Sequence, residues 1–370
     1  MQFSYWELKS WFSNVNFTIV GSGIVGLHTA LGLRKRFPNA KILILEKGVL
    51  PQGASTKNAG FACFGSLSEI IEDLKTHSES EVEQLIHKRF TGLQLLRKNL
   101  GDKAIDYQQN GGYELFLKND AAIFENCLNQ LPHINSWLQP FFKSAVFAEK
   151  TNSFGFNSSF ETLIFNSFEG QIDTGLMMQA LLKKAHQENI LILNNQYVSD
   201  FEDVADGVFL KSNDQSFKTD VLLFATNGFA TELTNGAVQP ARAQVLITEP
   251  IENLTIKGTF HFDKGYYYFR NINNRVLFGG GRNLDFDGET TTSHETTTFI
   301  QNHLESLLKN VILPDTNFEI AHRWSGTMGV GNEKIPLVKA LSNHVFCGVR
   351  MGGMGVAIGS LIGQELADLV

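Results

Sequence analysis

The chain has 370 residues, 43% of them hydrophobic and 19% charged, which is enough to bury a large ligand between two joined domains and excludes a disordered or fibrous protein. A formal net charge of -7 argues against a sequence-wide attraction to nucleic acid or anionic membrane, so bound phosphate would need local devices. Three cysteines, Cys63, Cys127 and Cys347, lack metal-ligand spacing and give neither a disulfide framework nor a metal site, which fits a reducing cytoplasm.

Residues 1–16 lack the basic start and apolar centre of a signal peptide, and no apolar run reaches the roughly 18 to 20 residues that cross a bilayer. A cytoplasmic protein without a membrane span is expected. Residues 17–20 read as a buried strand closed by Gly21, Ile24–Arg36 as a helix, and 41–46 as a second buried strand, a unit of a parallel, doubly wound sheet. The glycines of Gly21-Ser-Gly-Ile-Val-Gly26 sit where that strand turns into that helix. Gly21 permits the tight turn, Gly23 the close approach of phosphate, and Gly26 close helix packing, while Ile24 and Val25 open a helix whose N-terminus faces a pyrophosphate. Glu46, twenty residues after Gly26, ends the next strand beside Lys47 and is placed to accept hydrogen bonds from adenosine ribose hydroxyls. The stretch Gly53-Ala54-Ser55-Thr56-Lys57-Asn58-Ala59-Gly60 then offers small residues, hydroxyl donors and a countercharge to a cofactor.

Residues 69–100 read as helical, 112–117 as a strand, 176–189 as an amphipathic helix and 190–193 as a strand. Residues 221–228 form a buried strand ending in the turn Thr226-Asn227-Gly228, where parallel sheets carry ligand crevices. From 240 to 281 strands alternate with turns, which predicts an antiparallel sheet facing the substrate. Within 266–270, alternation sends Tyr266, Tyr268 and Arg270 to one face and Tyr267 and Phe269 to the other. Tyr268 is a candidate to orient a substrate amine and Arg270 to pair with a carboxylate. His322 is a third candidate at the substrate or cofactor edge, with His261 and Lys264 behind it. A strand at 345–348 and a helix at 354–370 return to the nucleotide theme. The expected fold is α/β, with α+β character in the second domain. A Rossmann-like FAD/NAD(P)-binding domain is discontinuous in sequence (1–84, 155–238 and 324–370), and an antiparallel-sheet substrate domain takes 85–154 and 239–323.

These motifs, in this order, resemble the D-amino-acid-oxidase (DAO) superfamily of FAD-dependent amine oxidoreductases, which includes glycine oxidase, sarcosine oxidase and gamma-glutamylputrescine oxidoreductase. The resemblance covers nearly the whole chain. It implies that Asn58, Ala59 and Gly60 lie near the isoalloxazine ring and that Thr226, Asn227 and Gly228 make a second cofactor turn. It further implies that Trp324 to Gly326 belong to a late flavin-side segment. Arg350, Gly352, Gly353, Met354, Gly355 and Val356 would form the terminal flavin loop, with a helix N-terminus at the pyrimidine end of the ring. Gly326 stands where covalently flavinylated relatives carry cysteine, which implies non-covalent FAD. Leu277 stands where sarcosine oxidases place an oxygen-activating lysine, so the electron acceptor, oxygen or another, is open. Gly353 falls at the carboxylate-clamping arginine of glycine oxidase, with Arg350 three residues earlier. The implied reaction is oxidation of a C–N bond in an amine or amino acid by hydride transfer, giving an imine that hydrolyses. An NAD(P)-linked reductase, or a flavin-binding protein acting in assembly or RNA modification, is the alternative. No metal and no nucleic-acid partner are expected, and oligomeric state is open.

Overall fold

The computed structural model describes residues 3–370. After a single helical turn, α1 (Tyr5–Glu7), the first apolar runs form β1 (Val15–Val20), α2 (Ile24–Arg36) and β2 (Ile42–Leu45). Every residue of β2 is buried. A strand covered on both faces has no wet side on which polar residues could alternate, which is why these runs read as continuous.

The later strands are β3 (Phe61–Ala62), β4 (Gly112–Glu114), β5 (Phe147–Thr151), β6 (Thr162–Asn166), β7 (Gly170–Gln171), β8 (Leu191–Leu193), β9 (Val198–Val204) and β10 (Gly207–Ser212). They continue with β11 (Gln215–Phe224), β12 (Gln239–Thr248), β13 (Thr259–Phe262), β14 (Tyr267–Ile272), β15 (Arg275–Gly280), β16 (Ile320–Val330), β17 (Leu337–Ala340) and β18 (Val345–Val349). The later helices are α3 (Leu67–Asp73), α4 (Glu79–Leu100), α5 (Ala121–Phe142), α6 (Thr174–Gln187), α7 (Thr298–Leu307) and α8 (Gly355–Asp368). The helical reading of 69–100 becomes two helices because Ser78 starts the second one. Its hydroxyl accepts from Glu81 N–H while the Glu81 carboxylate accepts from Ser78 N–H.

One sheet runs β17-β18-β11-β1-β2-β8, with β10 and β9 continuing from β11. From β18 to β8 its strands are parallel. The second sheet runs β16-β12-β15-β14-β13-β4-β6-β5 and is antiparallel except for β13 and β4. Hydrogen bonding divides the chain differently from the expected ranges. β6 and β16 belong to the second sheet, whereas the sequence pattern assigns residues 155–238 and 324–370 to the nucleotide part. Conversely, α4 packs on α8, so close that a Cβ at Gly92 would collide with Ala357 O.

The same device seats α8 on α2. A Cβ on Gly363 would lie 2.6 Å from both His28 Cβ and Val25 O, and one on Gly359 would lie 2.9 Å from Ile24 Cγ2. Small residues let the two backbones approach, and the terminal helix thereby becomes a neighbour of the phosphate-facing one.

Candidate functional site

The turn after β1 is built for closeness. Gly21 has φ +104°, and a Cβ there would stand 2.9 Å from Ala225 O, while a Cβ on Gly26 would run into Gly21 O. Gly23 faces Ser55, whose Oγ accepts from Ile24 N–H at 3.0 Å. An accepting hydroxyl keeps its own proton free to donate, so Ser55 can cap α2 and still offer a hydrogen to phosphate. Thr56 is turned away, its Oγ1 donating to Pro51 O at 2.7 Å.

Glu46 is buried, and its carboxylate is already well occupied. Oε2 accepts from Ser22 N–H at 3.0 Å and Ser22 Oγ at 2.8 Å, and Oε1 from Gly48 N–H at 3.0 Å and Gln52 N–H at 3.3 Å. A carboxylate has about four acceptor positions, so ribose hydroxyls would share oxygens that now brace the turn. Lys47 lies over the Tyr197 ring at 5.1 Å. Asn58 ties its loop together: Nδ2 donates to Ser55 O at 2.9 Å, while Oδ1 accepts from Gly60 N–H at 2.9 Å and Thr174 Oγ1 at 3.0 Å. Asn227 Oδ1 accepts from Met351 N–H at 3.1 Å, linking the turn after β11 to the terminal loop.

These segments wall one continuous cleft of about 1520 Å³, running from Gly21, Gly23 and Glu46 past Gly53, Ala54, Lys57 and Ala59 to Thr226–Gly228 and Gly352–Val356. The second sheet and its neighbours add Phe61, Cys63, His261, Tyr266, Tyr268 and Arg282 to the wall. Pockets for one small ligand hold roughly 300 to 1,000 Å³. This cleft has room for a long cofactor and a substrate beyond it. The glycine cradle, the N-terminus of α2 and the Ser55 hydroxyl fit a diphosphate, and α8 points its N-terminus into the same space.

Several sequence candidates lie off the cleft wall. Arg270 is on the face that alternation assigns it, but it is 2% exposed, close behind the Gly60 backbone, and its Nε has no hydrogen-bond partner among the described residues. Burial pushes it down to about 10, against the pull of Asp173 and Asp106. Arg350 donates Nε to Ile335 O and Nη2 to Glu333 Oε2, both at 2.9 Å, so it pins the terminal loop and is engaged there. His322 is exposed and stacks on Trp324 at 5.7 Å, and Trp324 Nε1 donates to Lys57 O at 2.9 Å. Gly326 lines the cleft next to Lys57, where a Cβ would come within 2.9 Å of Lys57 Cβ. Tyr268 does line the cleft, its ring lying over Gly279, and burial pushes its phenol up to about 12, so it stays a proton donor. The alternation of the strand holds: Tyr267 stacks on Phe262 at 4.8 Å and Phe269 on Phe260 at 4.7 Å, on the opposite face.

Arg282, just after β15, was not singled out by its sequence context. It lines the cleft near Tyr266 and lies 4.9 Å from the Phe286 ring, yet its side chain makes no hydrogen bond or ion pair to any described residue. Nothing local in the sequence marks it, because its freedom depends on which arginine its acidic neighbour chooses.

A glycine turn at the carboxyl ends of a parallel sheet, backed by a second sheet that roofs the same cleft, defines a dinucleotide-binding oxidoreductase architecture. The family model for FAD-dependent oxidoreductases (DAO) matches residues 16–369, and the chain belongs to that family; its cofactor is FAD. The probable oxidoreductase OrdL of Haemophilus influenzae is 20% identical over 95% of this chain and 82% of its own length. Glycine oxidase from Geobacillus kaustophilus superposes with a TM-score of 0.77 at 18% identity, covering 96% of this chain and 94% of that one. L-proline dehydrogenase from P. horikoshii superposes with a TM-score of 0.75 at 18% identity, covering 96% and 93%. Likeness at this level carries the fold. No helix among the described residues is long and apolar enough to cross a membrane.

Proposed function

We propose that the chain oxidises the carbon–nitrogen bond of a small amino acid or related amine, giving an imine that water hydrolyses. FAD, when bound, supplies the acceptor for a hydride equivalent from the carbon beside the nitrogen. The protein's part is to hold that carbon in place and exclude water. The observation that carries this reading is that Tyr268 and Arg282, whose guanidinium is unpaired among the described residues, line the same cleft as the glycine cradle.

A free arginine at a substrate position favours a carboxylate, which it grips through two parallel hydrogen bonds. Arg282 therefore fills the carboxylate-pairing role for which Arg270 is the sequence candidate. The names of three similar structures, glycine oxidase, L-proline dehydrogenase and iminodiacetate oxidase, specify amines that bear carboxylates, which supports the same class here. Non-covalent attachment agrees with Gly326 at the flavin side; Cys127 and Cys347 lie off the cleft, and burial keeps the thiol of Cys63, which lines it, protonated. The test is anaerobic bleaching of the purified yellow protein by glycine, L-proline, iminodiacetate and a wider panel of amines. If none bleaches it, the reading fails.

A further inference from the structure

Beside Tyr268 the cleft wall carries a buried histidine–glutamate pair that the reaction as described leaves without a role. His261, on β13, faces Tyr268 of β14 in one register and Glu114 of β4 in the other. Its Nε2 lies 2.9 Å from Glu169 Oε2. Glu169 is 1% exposed; the same oxygen accepts from Thr259 Oγ1 at 3.0 Å, and Oε1 from Asn166 Nδ2 at 3.4 Å. A carboxylate only accepts, so this contact places a hydrogen on Nε2 and turns Nδ1 the other way. Nδ1 has no hydrogen-bond partner among the described residues, and His261 lines the cleft. Phe61 packs edge-on against both rings, 5.1 Å from His261 and 5.6 Å from Tyr268, so imidazole and phenol share one wall.

Oxidation of an ammonium substrate to an iminium ion needs a proton acceptor to balance. The α C–H bond breaks with its electron pair leaving as a hydride equivalent to FAD. One N–H bond also breaks, and its electron pair becomes the second bond between carbon and nitrogen. Substrate and product then carry the same single positive charge, and the proton from nitrogen must go somewhere. We propose that His261, held by Glu169, takes that proton at Nδ1. This rests on the C–N oxidation reading above.

The other groups facing this point are committed. Glu114 accepts from Ser66 Oγ, Ser68 Oγ and Ser68 N–H, and Glu69 accepts from Ser66 N–H at the start of α3. Lys264 pairs with Glu72, and Arg89 donates to Phe64 O. Burial keeps the Cys63 thiol and the Tyr268 phenol protonated. For His261, burial pulls downward, but the charge and hydrogen bond of Glu169 prevail and hold it at about 9. The ring therefore carries a proton on both nitrogens below about pH 9 and is free to accept at Nδ1 above it, so flavin reduction should speed up as the pH rises through that value.

The test uses FAD-loaded protein carrying 13C-labelled histidine. The NMR resonance that vanishes in His261→Asn identifies the ring, with His261→Gln as the second variant should the first lose flavin. An inflection near 9 that moves acid-ward by roughly one pH unit or more in Glu169→Gln supports the pair as described. A wild-type ring titrating at its ordinary value overturns it. Anaerobic stopped-flow reduction by glycine, L-proline or iminodiacetate supplies the second arm. His261→Asn should lower the limiting rate about 10²-fold, and Glu169→Gln should shift the pH inflection acid-ward together with the NMR value. Reduction with an unshifted profile overturns the proton role alone. If none of these or of the wider panel reduces the flavin, the substrate reading falls and takes the proposal with it.

Discussion

Glu289 binds Arg242, forty-seven residues before it, and leaves Arg282, seven residues before it, unpaired. The pair is bidentate, Nε to Oε2 at 2.8 Å and Nη2 to Oε1 at 2.7 Å, and Gln244 Nε2 adds a third bond to Oε1 at 2.8 Å. Both partners are buried. This choice anchors the loop after β15 to β12 and keeps the cleft-facing guanidinium available. Removing one partner strands a buried charge, so Glu289→Gln should cost about 3 to 5 kcal/mol in urea unfolding. Arg242→Met with Glu289→Leu should recover most of that loss. A single variant within about 1 kcal/mol of wild type would show that the pair is not an anchor.

Arg282→Met should raise the dissociation constant of a carboxylated substrate by about 10- to 100-fold, the value of a charge-assisted bond of roughly 1.5 to 3 kcal/mol. Binding of the matching amine without a carboxylate should not change. Arg282→Lys should fall between, because lysine lacks the planar fork. Titrating the flavin spectrum with benzoate gives the same comparison without turnover.

The glycine turn makes a graded prediction. Gly26→Ala places a methyl group into Gly21 O, and Gly21→Ala is strained by its φ of +104° as well as by Ala225 O. Both should purify with little FAD, read from the ratio of flavin to protein absorbance. Gly53→Ala meets nothing within 4 Å and should retain the cofactor. Equal FAD content in all three would remove the steric account of the turn.

His28 predicts an acid limb in stability. Burial lowers it from 6.5 to about 4; its Nδ1–H donates to Ile24 O at 2.9 Å and Nε2 has no partner among the described residues. The unfolded chain takes up a proton below pH 6.5 that the folded chain refuses until about pH 4. Stability is therefore complete above 6.5 and declines as pH falls through that window, by about 3 kcal/mol from this residue. His28→Leu should flatten the decline when melting is compared at about pH 7 and about pH 5. A slope unchanged by the substitution would assign the acid limb to other groups.

Leu277 is 5% exposed and packs behind Ala59 and Val245, which line the cleft, so an apolar contact and not a cation backs that part of the wall. Reduced enzyme should reoxidise slowly in air and quickly with an artificial dye acceptor. Fast reoxidation in air would mean that oxygen is activated by another cation, with Arg282 and His261 the first to substitute.

The nucleotide half was legible because its constraints are local. Gly21, Gly23, Gly26 and Glu46 sit within thirty residues of one another, and each residue type answers a steric or polar demand made by the next few. Alternation also placed Tyr268 and Arg270 on one face correctly. It could not say how deep each would sit, since depth is set by Gly60 crossing behind Arg270 and Gly279 opening beneath Tyr268. Arg282 and the His261–Glu169 pair were out of reach for a related reason. Which cation stays free, and which histidine gains a carboxylate, depends on partners 47 and 92 positions away. The parallel pairing of β13 with β4 is equally non-local, because the early strand slots in between β13 and β6.

The close seating of α8 on α2 bears on how the enzyme is made. A ribosome releases the glycine turn and α2 early, but the surface on which α2 rests is not synthesised until residues 355–368 emerge. Until then the nascent chain exposes the face of α2 that meets Gly359 and Gly363, and the loop that closes the flavin end of the cleft is missing. Cofactor loading should therefore follow translation, and a chain stalled before residue 355 should depend on a chaperone to shield its oldest helix.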